Sequence, residues 1–399
     1  TTGDNNVAVG FESLKVNTTG GSNVAVGRRT LDANISGSFN TAIGDNSLTS
    51  LTTASNITAV GVCALFDLTT GSNNVAMGVE AGANITTGSN NVGIGNYSLY
   101  CTTDAIGNTA LGSASAAKNI TGDYNVAIGQ TALCTNTAGS NNVAVGREAL
   151  KANTASDNTA VGFNALTANT TGASNTAMGH SALTTNTTGA CNTAVGTDAL
   201  KANTTASANT AMGYQALCNN TVGCQNTAYG FKAGFAITTG DFNTNVGLIA
   251  GNALTTGNNN ILLGYNSQST SVSVSDEITL GNGDNDNLRC ADTSISTLSD
   301  LRDKTNVEDI PHGLDYILAL RPVKFDWETR DGTRVGKKDY GFIAQELDQV
   351  EETFGNKEYT RLVHKENPEK WEADVMKTYP ILIKAIQELK AEIELLKNK

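Results

Sequence analysis

Short apolar triplets alternate with long polar stretches through most of this chain, and they do so on a fixed beat. The unit reads G-x-x-A-L-x-x-N-x-T-G-x-x-N-x-A-V, as in Gly162 to Met178 and Gly179 to Val195. In its N-x-A-V-G part, for example Asn158-Thr159-Ala160-Val161-Gly162, period-two alternation predicts a strand that sends Ala one way and Val, Ile or Met the other. The A-L-x-x-N part, as in Ala199-Leu200-Lys201-Ala202-Asn203, predicts one helical turn before the chain doubles back. Glycine marks the beat from Gly10, Gly27 and Gly44 through Gly146, then from Gly162 to Gly264 and Gly281, with steps of seventeen residues and one of sixteen. So short a period, sustained so long, means stacked coils that each touch only their neighbours. The expected fold class is mainly β: a parallel β-solenoid shaft over residues 1–283, a linker over 284–298 and a small α+β domain over 299–399.

Asparagine stands four residues before fifteen of the first sixteen glycines; at Gly61 the Asn is Asn56, one residue early. Stacked Asn side chains can hydrogen-bond from coil to coil as in cross-β ladders. The glycine fits a positive-φ corner that a Cβ would strain. Each coil offers about three apolar side chains, such as Ala177, Met178 and Leu183, against roughly 1 to 2 kcal/mol of backbone entropy per residue. So thin a core calls for partners, and three parallel copies around one axis would bury the Leu and Val rows between chains. Sixteen coils at roughly 4.8 Å each give a shaft of about 75 to 80 Å.

Composition changes near residue 298. Before it, Asn, Thr, Gly and Ala dominate and 17 acidic and 9 basic residues are spread thinly; after it come 21 acidic and 17 basic residues, all four prolines and both tryptophans. The net charge of -12 argues against a nucleic-acid-binding surface. No apolar run approaches the roughly 20 residues of a membrane span. The chain opens inside a repeat, without Met or a signal-peptide pattern, as expected of a piece of something longer. Cys63, Cys101, Cys134, Cys191, Cys218 and Cys224 mostly occupy different coil positions and Cys290 comes after the last coil, so no disulfide ladder is expected. Synthesis in a reducing cytosol fits that usage.

Other candidate chemistry in the repeats is weak. Asp284-Asn285-Asp286-Asn287 resembles the start of a calcium loop but lacks the closing Glu, so a polar turn ending the solenoid is the expectation and no metal or cofactor is assigned. Tyr229, Phe231, Phe235 and Phe242 gather in the late coils, where capping the end of a thin core is a commoner role than stacking on glycans. N-x-T triplets arise from the repeat itself. No paired carboxylates recur at one coil position, which argues against a glycan-degrading enzyme.

Beyond the repeats, Ser299-Asp300-Leu301-Arg302-Asp303-Lys304 places a hydroxyl and an amine five residues apart. A desolvated, neutral lysine can take a serine proton, leaving the oxygen to attack a carbonyl without histidine. By spacing alone, Ser299 and Lys304 read as a solvated loop. The downstream residues change that reading: Leu314 to Leu320, then Arg321-Pro322-Val323-Lys324-Phe325-Asp326-Trp327, then Tyr340-Gly341-Phe342-Ile343-Ala344-Gln345-Glu346, and a last helix holding Ala385-Ile386-Gln387-Glu388-Leu389. In that order, this stretch resembles the intramolecular chaperone domain of phage tail fibres and endosialidase tailspikes, found also in the myelin regulatory factor family. The resemblance implies a domain that assembles three chains, lets the preceding β-structure fold, and cuts itself free once. Ser299 matches the family nucleophile and Lys304 its general base. The cut falls next to Ser299, with Leu298–Ser299 the expected bond, and Asp303 stands where many relatives carry Leu.

The last helix adds an independent pointer. Tyr379, Leu382, Ile386, Leu389, Ile393 and Leu396 form a heptad seam within a coiled-coil segment at 379–397. Packing of that seam on its own domain is the alternative. In the repeats, N-x-A-V-G resembles the head repeats of trimeric autotransporter adhesins of the YadA type, whose unit is shorter, and the whole unit is similar to Asn/Thr-rich repeats of phage and bacterial tail fibres. Together these imply a homotrimeric shaft of a viral, phage-like tail fibre, assembled in the host cytoplasm and carried on the virion. Its partners would be other tail or fibre proteins and a host-surface glycan or receptor, with no nucleic acid and no membrane insertion. A bacterial surface adhesin that keeps its terminal domain is the alternative.

Overall fold

The computed structural model describes residues 2–285, 302, 304–329, 335–355, 357–365 and 371–398, in two compact units, Thr1–Leu280 and Gly281–Lys399. The first is the expected solenoid. Seventeen three-residue strands, from β1 (Val7–Val9) to β17 (Ile278–Leu280), form one parallel sheet with each strand paired to its sequence neighbours. Register advances by one repeat, as in Thr193↔Thr210 and Ala194↔Ala211; at the sixteen-residue step β9 (Val143–Val145) still pairs β10 (Thr159–Val161) rung for rung, Ala144 against Ala160. The missing residue is absorbed in the polar turn, where Asn153 bonds the Ala155 carbonyl two residues on instead of three.

The central Ala of the strand is buried, and so is the Leu of the second half: Leu133, Leu150, Leu166, Leu183, Leu200 and Leu217 are inaccessible to solvent within the single chain. The Leu row is therefore the chain's own core, which corrects the expectation that it lies between chains. Where Gly replaces that Leu, volume returns three residues later, at Ile85, Ile237 and Leu254. A Cβ on Gly82 would meet Ile85 Cδ1 at 3.0 Å and one on Gly234 would meet Ile237 Cδ1 at 3.2 Å. Near the end of the stack Asn245 replaces the strand Ala and lies against Gly234 and Gly251, fully buried with neither amide atom hydrogen-bonded.

The second half of the coil is not a helical turn. Ser181 and Leu183 have φ of 55° and 51°, and the same signs recur in coil after coil, as at Asp198 and Leu200 with 57° and 50°. Left-handed backbone costs a bulky residue about 1 to 2 kcal/mol. What it allows is a flat chain whose N–H groups point alternately along the stack: Ser181 N donates to Phe163 O at 2.9 Å in the coil before, Leu183 N to Ala199 O at 3.0 Å in the coil after. A helical turn would close those bonds on itself and leave the neighbours unsatisfied. The glycine corner is as expected, with φ of 131° at Gly196, where a Cβ would stand 2.5 Å from Gly213 O.

Two buried asparagine ladders run along the stack, the first nearly end to end and the second in segments. In the first, Asn192 Oδ1 accepts from Asn209 N at 3.0 Å and Asn192 Nδ2 donates to Ala206 O at 2.8 Å, so one amide clips two backbone groups of the next coil. In the second, Asn186 Nδ2 donates to Gly189 O in its own coil and to Asn169 Oδ1 in the coil before. Leu51, Leu68 and Ile85 stand in that second row without breaking the stack. Thr187 Oγ1 donates to Thr204 O at 3.0 Å, and Ser207 Oγ accepts from Ala190 N, adding two outer ladders. At the last coil Glu277 takes the ladder position: its N–H donates to Asn260 Oδ1, while its carboxylate accepts from Thr270 N, Thr270 Oγ1 and Thr279 Oγ1. A polar turn comes next, Asn282 N donating to Asn285 Oδ1, while Asp286 and Asn287 lie outside the described residues.

The late aromatics do not fill the core. Tyr229 and Phe242 are more than half exposed, and Phe231 stacks on Tyr214 with centroids 5.2 Å apart and planes at 16°. The rings cover one another's faces along the stack. The six cysteines of the solenoid are free thiols.

These ladders give a contrast to measure. Asn192→Ala strips the Asn209 N–H of its acceptor and leaves Ala206 O with Asn203 Nδ2 as its donor, and should cost about 1 to 3 kcal/mol. Asn186→Leu copies what Leu51 and Leu68 already do and should cost under about 1 kcal/mol. Thermal unfolding followed by circular dichroism checks both, and an equal loss for the two would refute the distinction between the ladders.

Candidate functional site

The second unit builds a small layered domain from motifs the sequence places in order. Leu314–Ala319 is helix α1; Val323–Asp326 and Lys338–Gly341 are antiparallel strands β18 and β19; Ala344–Phe354 is α2 and Lys357–Thr360 is α3. Short strands β20 (Val363–His364) and β21 (Glu372–Ala373) lead into the last helix, α4, Thr378–Lys397. The core is Tyr316, Leu347, Leu362, Val363 and Ile381, with Phe354 and Trp371 packed against it. α2 stops at Gly355, whose φ of 70° ends the helix in a left-handed residue.

The two strand-bearing motifs meet. Val323 pairs Gly341 and Phe325 pairs Asp339, so the R-P-V-K-F-D-W and Y-G-F-I-A-Q-E segments form one hairpin. Trp327 packs edge-on to Phe325 at 5.1 Å. Arg321, just before β18, reaches Glu346 on the first turn of α2 with a fork of two hydrogen bonds, one of them Nε to Oε2 at 2.9 Å. The side-chain bond to Arg321 holds the Glu346 carboxyl below its ordinary range. Ala319, Leu320, Phe342, Ile343, Leu347 and Val350 line a shallow cleft beside that pair. The second motif thus divides between β19 and the first turn of α2, and the fork ties the two motifs together.

Three further polar contacts have no counterpart in the sequence reading. Glu351 is fully buried in the apolar face of α2 and accepts from Leu362 N at 2.7 Å and from Thr360 Oγ1. Its signal was a carboxylate four residues after Leu347 on a face shared with Val350 and Phe354. Burial, and then the nearby Glu351, push the Tyr316 hydroxyl up. Asp348 lies between Lys357 and Lys365. Burial works to raise its pKa, but the hydrogen bonds from the two ammonium groups prevail and hold it low.

Helix α4 divides its faces. Ile381 and Ala385 are buried in the domain, and Glu388 accepts from Leu314 N at 2.7 Å at the start of α1. The heptad seam is elsewhere: Tyr379, Leu382, Ile386, Leu389, Ile393 and Leu396 are 40% to 70% exposed. The helix therefore holds its own domain by one face and presents the seam on another, where none of its six residues is buried among the described residues.

Of the candidate dyad, Lys304 is described and lies exposed in a non-helical segment. Ser299, with Leu298 and Asp303, lies outside the described residues. Among the described residues no group of His, Cys, Asp and Glu is arranged to hold a metal ion, and no helix is long and apolar enough to cross a membrane.

Residues 299–356 match the family model described as chaperone of endosialidase. The match begins at the candidate nucleophile and runs through the hairpin and α2. No curated protein and no solved structure matches the chain. The chain thus carries a chaperone-of-endosialidase domain behind a seventeen-strand parallel solenoid.

Because the Asp348 carboxyl is held low, its stabilising contribution is present above the ordinary carboxylate pKa of about 4 and is lost as pH falls through the lowered folded value. Both tryptophans lie in this unit, so their fluorescence reports it separately from the solenoid. Asp348→Asn should lower the unit's denaturation midpoint at pH 7 and flatten its fall below about pH 4. An unchanged acid profile would remove the Lys357–Asp348–Lys365 cluster as the cause.

Proposed function

We propose that this chain is the shaft of a viral, phage-like tail fibre used in host attachment, homotrimeric, and folded by a carboxy-terminal intramolecular chaperone that cuts itself off next to Ser299. One observation carries the reading: a stretch that matches chaperone of endosialidase is followed by a helix whose apolar seam is turned away from its own core. Repeats invite register slips, since a shift of one coil leaves most contacts intact. Three helices zipped at one end align three chains before their coils close.

Cleavage then proceeds through the dyad. Lys304 Nζ takes the proton of Ser299 Oγ; the oxygen attacks the carbonyl carbon of Leu298; the peptide nitrogen leaves with the proton that Lys304 returns, and water hydrolyses the resulting ester. Loss of the aligning domain traps the shaft kinetically, because unfolding has no route back. Other tail or fibre proteins and a host-surface glycan or receptor would be the fibre's partners, with the virion as its site of action. The adhesin-like N-x-A-V-G strand supports a second reading, a bacterial surface fibre that retains its terminal domain.

Denaturing gels of the parent chain beside Ser299→Ala and Lys304→Ala decide between them. The parent should appear as two fragments near the sizes set by residue 298, and both variants should remain full length. A parent chain that stays whole supports the retained-domain reading, and Lys304→Ala cutting at the parent rate sinks the dyad. Omitting residues 299–399 from the translated chain should yield aggregated or monomeric shaft; a soluble trimer from it would remove the chaperone role.

A further inference from the structure

We infer that the outward face of the strand ladder is the surface along which copies of this chain pack into the shaft. The inference rests on the fibre reading above and names the contact that reading requires. With the Leu row consumed inside each chain, the candidate rows for assembly are those the strands turn outward. The third strand position is apolar or aromatic in every one of the seventeen solenoid strands: Val, Ile, Met, Leu or, once, Tyr229. Ile43, Met77, Leu111, Met178 and Met212 in that row are 37% to 45% exposed. The first position adds only Val, Ile or Thr, and none of the seventeen holds a charged residue.

Neighbouring exposed rows keep no such rule. The position just after the glycine mixes Arg28, Asp45, Asn96 and Gln130 with Phe11, Val62, Phe163 and Leu248 in different coils. A solvent-facing row tolerates that mixture; an unbroken apolar row beside it marks a surface kept from water. At roughly 4.8 Å per strand and about 10 Å of width, the strip covers on the order of 800 Å². That exceeds the largest patches usual on monomers, about 300 to 600 Å², and equals what one partner contributes to a stable interface, about 800 Å².

Spacing selects the occupant. Side chains on the strip repeat at the strand spacing, so a partner with any other repeat falls out of step within a few rungs. Another copy of this chain stays in step from end to end. Methionine and branched aliphatic side chains then interdigitate between shafts, while Ala and Leu fill each shaft's interior.

The test uses the full chain with a short bismaleimide cross-linker. Val161→Cys places a thiol on the strip in a residue of similar size, and Lys201→Cys places one on an exposed row of the opposite half of the coil. Over the background from native cysteines in the parent chain, Val161→Cys should raise covalent dimer at least tenfold and Lys201→Cys should leave it unchanged. Circular dichroism matching the parent certifies each variant as folded. Linkage through Lys201→Cys alone, or through neither in a chain that sediments as an oligomer, overturns the strand-face contact and spares the fibre reading. A chain that sediments as a monomer overturns both.

Discussion

Every backbone N–H and carbonyl that a coil cannot use within itself must find its partner in the coil above or below. A coil of seventeen residues with a three-residue strand has little internal bonding, so nearly all of its polar groups look along the stack. The repeating features answer that demand. Alternating left-handed residues turn N–H groups up and down, as at Ser181 and Leu183. Asn192 and its equivalents clip the groups the strand leaves at its entrance. Gly196 lets two backbones approach where a methyl group would collide with a carbonyl. Leucine in strained backbone is held by burial worth about 2 kcal/mol together with a bond to the next coil, which offsets the strain.

The terminal unit works on another principle. It has a conventional core around Tyr316 and Leu347, a hairpin tied to α2 by the Arg321–Glu346 fork, and a long helix anchored to α1 through Glu388. A stack whose coils are nearly interchangeable specifies its pitch strongly and its alignment weakly. A globular unit specifies one arrangement. The two kinds of sequence stand side by side in one chain. The sixteen-residue coil and the Gly/Ile exchanges at Gly82 and Gly234 are marks of the same kind inside the stack, each matching only its own counterpart.

Much of this was legible in the residues because a repeat states its own period. Strand positions, the opposite facing of Ala and Val, positive-φ glycine and the first asparagine ladder could be read directly. The second half of the coil could not: A-L-x-x-N has helix-like spacing, and only the need to bond adjacent coils, which spacing does not express, makes Leu183 left-handed. The second asparagine ladder was hidden because five of its positions carry Leu or Ile, namely Leu51, Leu68, Ile85, Ile237 and Leu254. In the terminal unit the order of motifs placed the hairpin and the seam, whereas Glu351 looked like any surface carboxylate until the helix face it shares with Leu347 and Phe354 was closed by Leu362.

A stack of this kind has no natural end, since each rung is a template for another. The substitution of Glu277 for asparagine supplies one. Its carboxylate has no hydrogen to offer a following coil, turns back to Thr270 and Thr279, and sets a negative charge on the last full rung. Two such tips set face to face would bring like charges together, so exchanging the amide for a longer carboxylate disfavours end-to-end growth at this rung.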